Sequence, residues 1–174
     1  LTPFVRVPAE GGLNYCRRML DRGAMGIMMP HVRTPEYAQA FVRACKYEPQ
    51  GQRSQCSRLR TNDFGALSGK EYSALANRET MCIALCENKE NLDNIEAIAA
   101  VPGLDVIYIG PGDLGADLGW PEASVMEKHV DRMRRAILGA GKVAGFGTRH
   151  AGMAKVKADG YRLIEVITHD LLKA

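Results

Sequence analysis

The stretch that decides the fold runs from residue 81 to residue 113 and reads MCIALCENKENLDNIEAIAAVPGLDVIYIGPGD. It contains two short apolar runs, 81–86 and 104–109, of the kind found in strands that are buried on both faces. Between them, residues 89–100 carry apolar side chains at helical spacing. A strand, a helix and a second strand in this order predict a parallel βαβ unit.

The same alternation extends over the rest of the chain. Further strands are predicted over 2–7, 25–29, 142–146 and 162–167. Further helices are predicted over 13–22, from Pro35 behind a Thr34 cap, and over 71–77, 122–139 and 149–158. The result is six βα units, the last cut short. Residues 47–70 lack clear periodicity, and we interpret them as an active-site loop because long loops in compact domains are usually functional.

Two architectures fit a parallel sheet of this kind, namely an open doubly wound sheet and a closed barrel. An open sheet normally carries a phosphate-binding fingerprint after its first strand, and the segment Pro8-Ala9-Glu10-Gly11-Gly12 does not match one. A closed barrel needs eight units, of which six are visible. Spacing alone therefore leaves both architectures open for what we predict to be a single domain over residues 1–174.

Composition indicates a soluble globular protein, with 46% hydrophobic and 25% charged residues. The net charge of +3 is spread along the chain without a basic tract, so we expect no nucleic-acid partner. No apolar run approaches the roughly 20 residues of a membrane span, and the five cysteines form no CxxC pair. We therefore predict a cytoplasmic protein. Because the chain opens at Leu1 directly in a strand-like segment, we expect it to be a portion of a longer polypeptide.

Chemistry in parallel β/α folds lies at the carboxyl ends of the strands, which all open on one face. The polar residues at these ends are Arg6, His31, Glu87, Asp113, Thr148 or Arg149, and Thr168 with Asp170. Glu87 and Asp113 follow consecutive strands, so both carboxylates should reach one Mg²⁺ or Mn²⁺ ion. Each could instead cap the helix that follows it, but the pair together favours a metal site.

Three further features of this edge could bind a substrate. The turn Gly110-Pro111-Gly112-Asp113 could offer backbone amides to a carboxylate, or could be an ordinary tight turn. Arg6 ends an apolar strand, where it would bind a substrate oxygen and stabilise enolate charge, or pair with one of the acidic residues. His31 could contact the substrate as a proton shuttle, or be structural.

Six motifs stand at the predicted strand ends and loops. They are Val5-Arg6-Val7-Pro8, Leu20-Asp21-Arg22-Gly23-Ala24, Met29-Pro30-His31-Val32, Gly51-Gln52-Arg53-Ser54, Glu87 and Ile109-Gly110-Pro111-Gly112-Asp113-Leu114. In order and spacing they resemble the HpcH/HpaI aldolase family, over essentially the whole chain. The Pro-His-Val and Gly-Pro-Gly-Asp segments look closest to the branch that contains macrophomate synthase and the 2-keto-3-deoxy sugar-acid aldolases.

The resemblance implies an α/β fold of the TIM (β/α)8 barrel type, usually a hexamer. It also implies a divalent metal, Mg²⁺ or Mn²⁺ with Co²⁺ as a further candidate, that chelates pyruvate or its enolate. By the resemblance, Glu87 and Asp113 would be the metal ligands and Arg6 would contact the carbonyl oxygen of pyruvate. The amides of Gly112 and Asp113 would hold its carboxylate, and Asp21 would support the base from a neighbouring subunit or strand.

Three departures from the family pattern accompany the resemblance. The catalytic histidine of the family follows its second strand, and nothing here precedes the strand that ends at Arg6, so the first two βα units are expected to be absent. The final helix is likewise cut off at Ala174. Leu85 stands where many relatives have glutamine, so one polar contact near the metal and pyruvate is lost.

The leading hypothesis is a metal-dependent aldolase, a carbon-carbon lyase that cleaves a 4-hydroxy-2-oxo acid to pyruvate and an aldehyde, or forms it from them. One alternative is a lyase for a CoA thioester of the malyl or citramalyl type, in which the arginines between Arg53 and Arg60 would contact the CoA phosphates. Another is a non-catalytic binding protein built on an incomplete barrel.

Overall fold

A computed structural model describes residues 1–56 and 58–166. Six parallel strands form one sheet in which the order in space follows the order in the chain. The strands are β1 (Phe4–Arg6), β2 (Gly26–Met29), β3 (Met81–Cys86), β4 (Val106–Ile109), β5 (Val143–Gly147) and β6 (Leu163–Glu165). The helices are α1 (Gly12–Asp21), α2 (Pro35–Cys45), α3 (Gly69–Glu79), α4 (Lys89–Ala99), α5 (Pro111–Asp117), α6 (Ala123–Gly139) and α7 (Met153–Ala158).

The two faces of the sheet differ in what covers them. One face packs against helices, and residues such as Phe41 of α2, Ile95 of α4 and Met133 of α6 join outward-facing strand residues in the main core. The other face carries a smaller apolar cluster made of strand residues alone. A doubly wound sheet would have helices on both faces and a reversal in strand order. The sequential order and one-sided helices describe six strands of a half-barrel instead.

Local signals in the sequence explain where several helices begin. The Thr34 hydroxyl accepts a hydrogen bond of 3.2 Å from the N–H of Tyr37, which confirms the predicted cap of α2. Helix α4 begins with a reciprocal capping box between Asn88 and Asn91. Because this box follows Glu87 directly, it also determines where the chain leaves β3.

The predicted elements are all present, with shifted boundaries at several ends. Strand β3 occupies the predicted residues, whereas β1 is shorter than the predicted strand over 2–7. Residues 110–113 were predicted to form a turn, but Pro111 begins the short helix α5 there. A 3-10 turn, His150–Gly152, forms the first part of the helix predicted over 149–158. Ile167 and residues 168–174, where the chain was expected to stop short of its final helix, lie outside the described residues.

None of the helices in the described part of the chain is long and apolar enough to cross a membrane.

Candidate active site

The uncovered face of the sheet opens, at the carboxyl ends of the strands, into a cleft of about 570 Å³. Its wall is apolar and includes Met28, Ile83, Leu85 and Leu163. Its polar groups are Arg6, Glu87, Tyr108, Asp113 and Glu165, together with the backbone at Gly110 and Gly112. The structure therefore brings together Arg6, Glu87, Gly112 and Asp113, four of the residues predicted to form the site.

Glu87 is held at the cleft by the backbone around it. Its side chain is buried, and its Oε1 accepts a hydrogen bond of 3.2 Å from the N–H of His31. The N–H of Glu87 itself donates to Oδ1 of the fully buried Asn91 at 2.7 Å. The side-chain amide of Asn91 also donates to the carbonyl oxygen of Val32. Asn91 thus ties the end of β3 to the segment that leaves β2.

The carboxylates of Glu87 and Asp113 are close enough to influence each other. Burial raises the pKa of Glu87, the N–H and charge of His31 lower it, and the neighbouring Asp113 raises it again. Gly110 allows this approach, because a Cβ placed there would lie 2.8 Å from Cβ of Glu87. Two adjacent carboxylates of this kind favour a cation between them.

This donor set fits a hard divalent ion that keeps several coordination positions for solvent and substrate. Mg²⁺ is commonly held by one or two carboxylates with waters and ligand oxygens completing its shell. No group of three or more His, Cys, Asp or Glu side chains suited to a metal occurs among the described residues. A pair of carboxylates such as Glu87 and Asp113 leaves coordination positions for water and substrate oxygens.

His31 lies beside Glu87 but does not line the cleft. Its backbone adopts a left-handed conformation, with φ of 50°. Its Nδ1 is 3.0 Å from Oε1 of Glu87, a distance suited to an ion pair when the ring is protonated, although the angles are not those of a hydrogen bond. The structure therefore places His31 in contact with Glu87 but outside the cleft lining.

Arg6 reaches the cleft from the end of β1. Its side chain is exposed, and it forms no ion pair with any described residue. The alternative in which Arg6 pairs with Glu87 or Asp113 is thus not what the structure shows. A guanidinium in this position is available to an anionic ligand.

Asp21 lies away from these residues. It ends α1 beside the start of β2, at the amino edge of the sheet, and its Oδ1 accepts a hydrogen bond of 2.7 Å from Nη2 of Arg53. The Arg53 side chain is buried and lies over the Tyr47 ring, with Cζ 4.5 Å from the ring centroid. Within one chain, Asp21 therefore does not meet the cleft.

The interpretation of residues 47–70 as a loop over this cleft is wrong for the chain's own site. Helix α2 runs from the carboxyl edge to the amino edge, so the loop begins at the amino edge. There the Lys46 ammonium group donates to the carbonyl oxygens of Asn77 and of Thr80, the residue before β3. No described residue of the loop lines the cleft. Sequence alone showed the length of the loop but not the edge at which it lies.

Three polar residues of this region, Tyr108, Asn91 and Glu165, were missed by the sequence analysis. Asn91 follows Asn88 at capping-box spacing, a signal that could have marked it as a support of Glu87. Glu165 is two residues after Leu163 on β6 and so shares its face, where it is the polar member of an otherwise apolar pattern. Thr148 and Arg149 do not line the cleft, and Thr168 and Asp170 lie outside the described residues.

Residues 1–165 match the HpcH/HpaI aldolase/citrate lyase family. The chain belongs to this family. It is 37% identical over 169 residues to a hydroxypyruvate/pyruvate aldolase of Roseobacter denitrificans, covering 94% of this chain and 65% of that protein. It is 34% identical over 157 residues to a 2-keto-3-deoxy-L-rhamnonate aldolase of Klebsiella pneumoniae, covering 88% of this chain and 58% of that protein.

Solved structures of the HpcH/HpaI family share the fold. The crystal structure of a family protein from Burkholderia cenocepacia superposes with a TM-score of 0.87 at 32% identity, covering 98% of this chain and 69% of that chain. The chain spans 65% of the first of the curated relatives named above and 58% of the second. The six-stranded half-barrel thus corresponds to part of the length of these relatives.

Proposed function

We propose that the chain forms the metal- and pyruvate-binding part of a class II aldolase, which cleaves a 4-hydroxy-2-oxo acid into pyruvate and an aldehyde or joins the two. The observation that carries this proposal is the pair of carboxylates, Glu87 and Asp113, set in a cleft that Arg6 also enters. The names of the two aldolase relatives support it. We further propose that the half-barrel belongs to a complete (β/α)8 barrel in a homo-oligomer, a hexamer by resemblance to the family.

In this proposal, Glu87 and Asp113 hold the divalent ion, Mg²⁺ or Mn²⁺ with Co²⁺ as a further candidate. Such an ion would polarise the carbonyl group of a 2-oxo acid and acidify its methyl protons. Burial and the adjacent Asp113 raise the pKa of Glu87, and a cation bound between the two carboxylates would favour their charged forms.

The chain's own cations and amides orient the 2-oxo acid. Arg6 contacts the carbonyl oxygen and stabilises negative charge as it develops there. The N–H groups of Gly112 and Asp113 lie in the first turn of α5, where they have no acceptor within the helix. They hold the carboxylate of the 2-oxo acid. Leu85 presents an apolar wall beside them, suited to the methyl group of pyruvate.

Proton transfer needs a base, and of the chain's own residues His31 was considered as a proton shuttle and Asp21 as a support of the base. His31 touches Glu87 and so supports the carboxylate pair rather than facing the substrate. Asp21 lies at the amino edge, so we propose that it acts on the site of a neighbouring subunit. This arrangement makes assembly of several chains part of the proposed activity.

The CoA-thioester alternative has less support from the structure. Arg53, which was expected to contact CoA phosphates, is buried and paired with Asp21. The non-catalytic alternative also accounts for the charged cleft, and the names of the two aldolase relatives favour catalysis over it.

The proposal is tested by pyruvate release from 2-keto-3-deoxy-L-rhamnonate and from 4-hydroxy-4-methyl-2-oxoglutarate, using the natural polypeptide that contains the chain. We expect activity to vanish in EDTA and to return with Mg²⁺, Mn²⁺ or Co²⁺. Glu87→Gln and Asp113→Asn should each lower kcat/KM by about 100-fold or more, since each removes a ligand of the ion. Glu90→Gln is the matched control, because Glu90 is an exposed acid in the first turn of α4, and it should leave kcat/KM unchanged. Full turnover in EDTA would exclude the proposal.

A further inference from the structure

Tyr108 lies across the neighbouring strand on the uncovered face of the sheet. Its partner in the β4–β5 register is Gly145, and a Cβ placed at Gly145 would lie 2.9 Å from the tyrosine ring. A Cβ placed at Gly147 would lie 2.5 Å from the tyrosine Oη. The two glycines of β5 thus leave the space that the ring occupies, and the hydroxyl extends toward β6.

Glu165 is the residue that this hydroxyl meets. It pairs with Gly147 in the register of β5 and β6, and its exposed side chain lines the cleft. Burial first, and then the neighbouring Glu165 carboxylate, raise the pKa of Tyr108. Tyr108 therefore keeps its proton and is a donor toward Glu165. No described cation forms an ion pair with Glu165.

The register places this pair opposite the carboxylates already described. Leu85, Tyr108 and Gly145 lie at one level of the sheet, and Leu163 continues that level on β6. The next level of the sheet, two residues further along each strand, consists of Glu87, Gly110, Gly147 and Glu165. The Gly110 N–H donates to the Cys86 carbonyl oxygen at 2.9 Å, so the register of β3 and β4 continues to this level. Glu87 and Glu165 therefore stand on opposite sides of the same cleft, with glycines between them.

We propose that Tyr108 and Glu165 form a specificity-determining subsite that receives the half of the substrate that leaves as the aldehyde. The inference rests on the proposed function. A carboxylate with free lone pairs accepts hydrogen bonds from hydroxyl groups and repels a second carboxylate brought into the same cleft. The subsite therefore favours a neutral, hydroxylated aldehyde and disfavours one that carries an acid group.

The test compares two substrates whose pyruvate halves are alike. The aldehyde half of 2-keto-3-deoxy-L-rhamnonate is neutral and hydroxylated, whereas the departing half of 4-hydroxy-4-methyl-2-oxoglutarate is a second pyruvate, a ketone that carries a carboxylate. Two pyruvates are therefore counted for each turnover of the second acid. Glu165→Gln keeps the size of the side chain and removes its charge. We expect this variant to shift the ratio of kcat/KM values toward the dicarboxylate by about 10-fold or more. Tyr108→Phe keeps the charge and should leave discrimination against the dicarboxylate in place.

A matched control and a second readout separate this inference from the proposed function. Glu122→Gln removes an exposed carboxylate that does not line the cleft and should leave the ratio unchanged. Isothermal titration with analogues of both acids that lack the 4-hydroxyl group, and so cannot be cleaved, measures the same preference without turnover when Mg²⁺ is present. An unchanged binding ratio in Glu165→Gln overturns the subsite. Absence of pyruvate release from both acids by the unaltered enzyme instead overturns the proposed function, while the binding ratio still decides the subsite.

Discussion

Replacing Asn91 with alanine should both destabilise the fold and loosen the candidate metal site. The Asn91 side chain accepts hydrogen bonds from the N–H groups of Glu87, at 2.7 Å, and Asn88, at 3.1 Å, and donates one to the carbonyl oxygen of Val32. Alanine provides none of these contacts. Because Asn91 is fully buried, water cannot readily replace them.

The expected magnitude follows from these groups. Each buried group that loses its partner costs about 1–3 kcal/mol, and alanine returns about 0.6 kcal/mol of helix propensity. Three groups lose their partner, so we expect the free energy of unfolding to fall by at least about 2 kcal/mol, a large share of the stability of an ordinary domain. Freed from this support, Glu87 should bind the divalent ion about 10-fold or more weakly.

Asn94→Ala is the matched control on the same helix. Asn94 is half-buried and makes one solvent-exposed hydrogen bond of 3.1 Å to the carbonyl oxygen of Arg33, so the same substitution should change stability by about 0.5 kcal/mol or less. Urea unfolding of both variants, followed by far-UV circular dichroism, measures the difference, and Mn²⁺ titration measures the ion affinity. If Asn91→Ala and Asn94→Ala unfold within 0.5 kcal/mol of each other, the assigned role of Asn91 is wrong.

Three further substitutions test other parts of the fold. Burial raises the pKa of Tyr47 to about 12, so between about pH 10 and 12 the folded form keeps a proton that the unfolded chain loses. The free energy of unfolding should therefore fall as the pH rises through this range. Urea titrations at stepped pH should show a smaller fall for Tyr47→Phe. Gly51→Ala would bring Cβ within 2.3 Å of the Lys46 carbonyl oxygen and should lower the Tm, whereas Gly139→Ala has open space and should leave it unchanged or raised. Thr34→Ala removes the cap of α2 and should cost about 1 kcal/mol in chemical unfolding.

Much of the fold could be predicted because its local signals agree with its tertiary structure. Strand β3 was predicted to the residue, since its apolar run ends sharply at Glu87 and α4 begins at a strong cap. The grouping of Arg6, Glu87 and Asp113 followed from the single rule that parallel strands share one carboxyl edge.

What could not be predicted depends on the direction of elements and on contacts between distant segments. The edge at which residues 47–70 lie depends on where α2 ends, and the apolar periodicity of a helix carries no such information. Glu165 was missed because its significance comes from Tyr108 reaching over two glycines of another strand. Spacing alone could not separate an open sheet from a barrel, because that choice depends on which face of the sheet each helix covers.

The two edges of the sheet differ in how their charges are satisfied, and this difference indicates where a ligand binds. At the amino edge, buried charges find partners within the chain: Lys46 donates to two carbonyl oxygens, and Arg53 pairs with Asp21. At the carboxyl edge, Arg6 has no ion-pair partner among the described residues, and Asp113 stands next to another carboxylate. Folding alone gives no reason to place uncompensated charges around an apolar cleft, because charges near low-dielectric surfaces cost free energy unless they are paired. A cation and an anionic substrate at the carboxyl edge would satisfy both signs of charge at once.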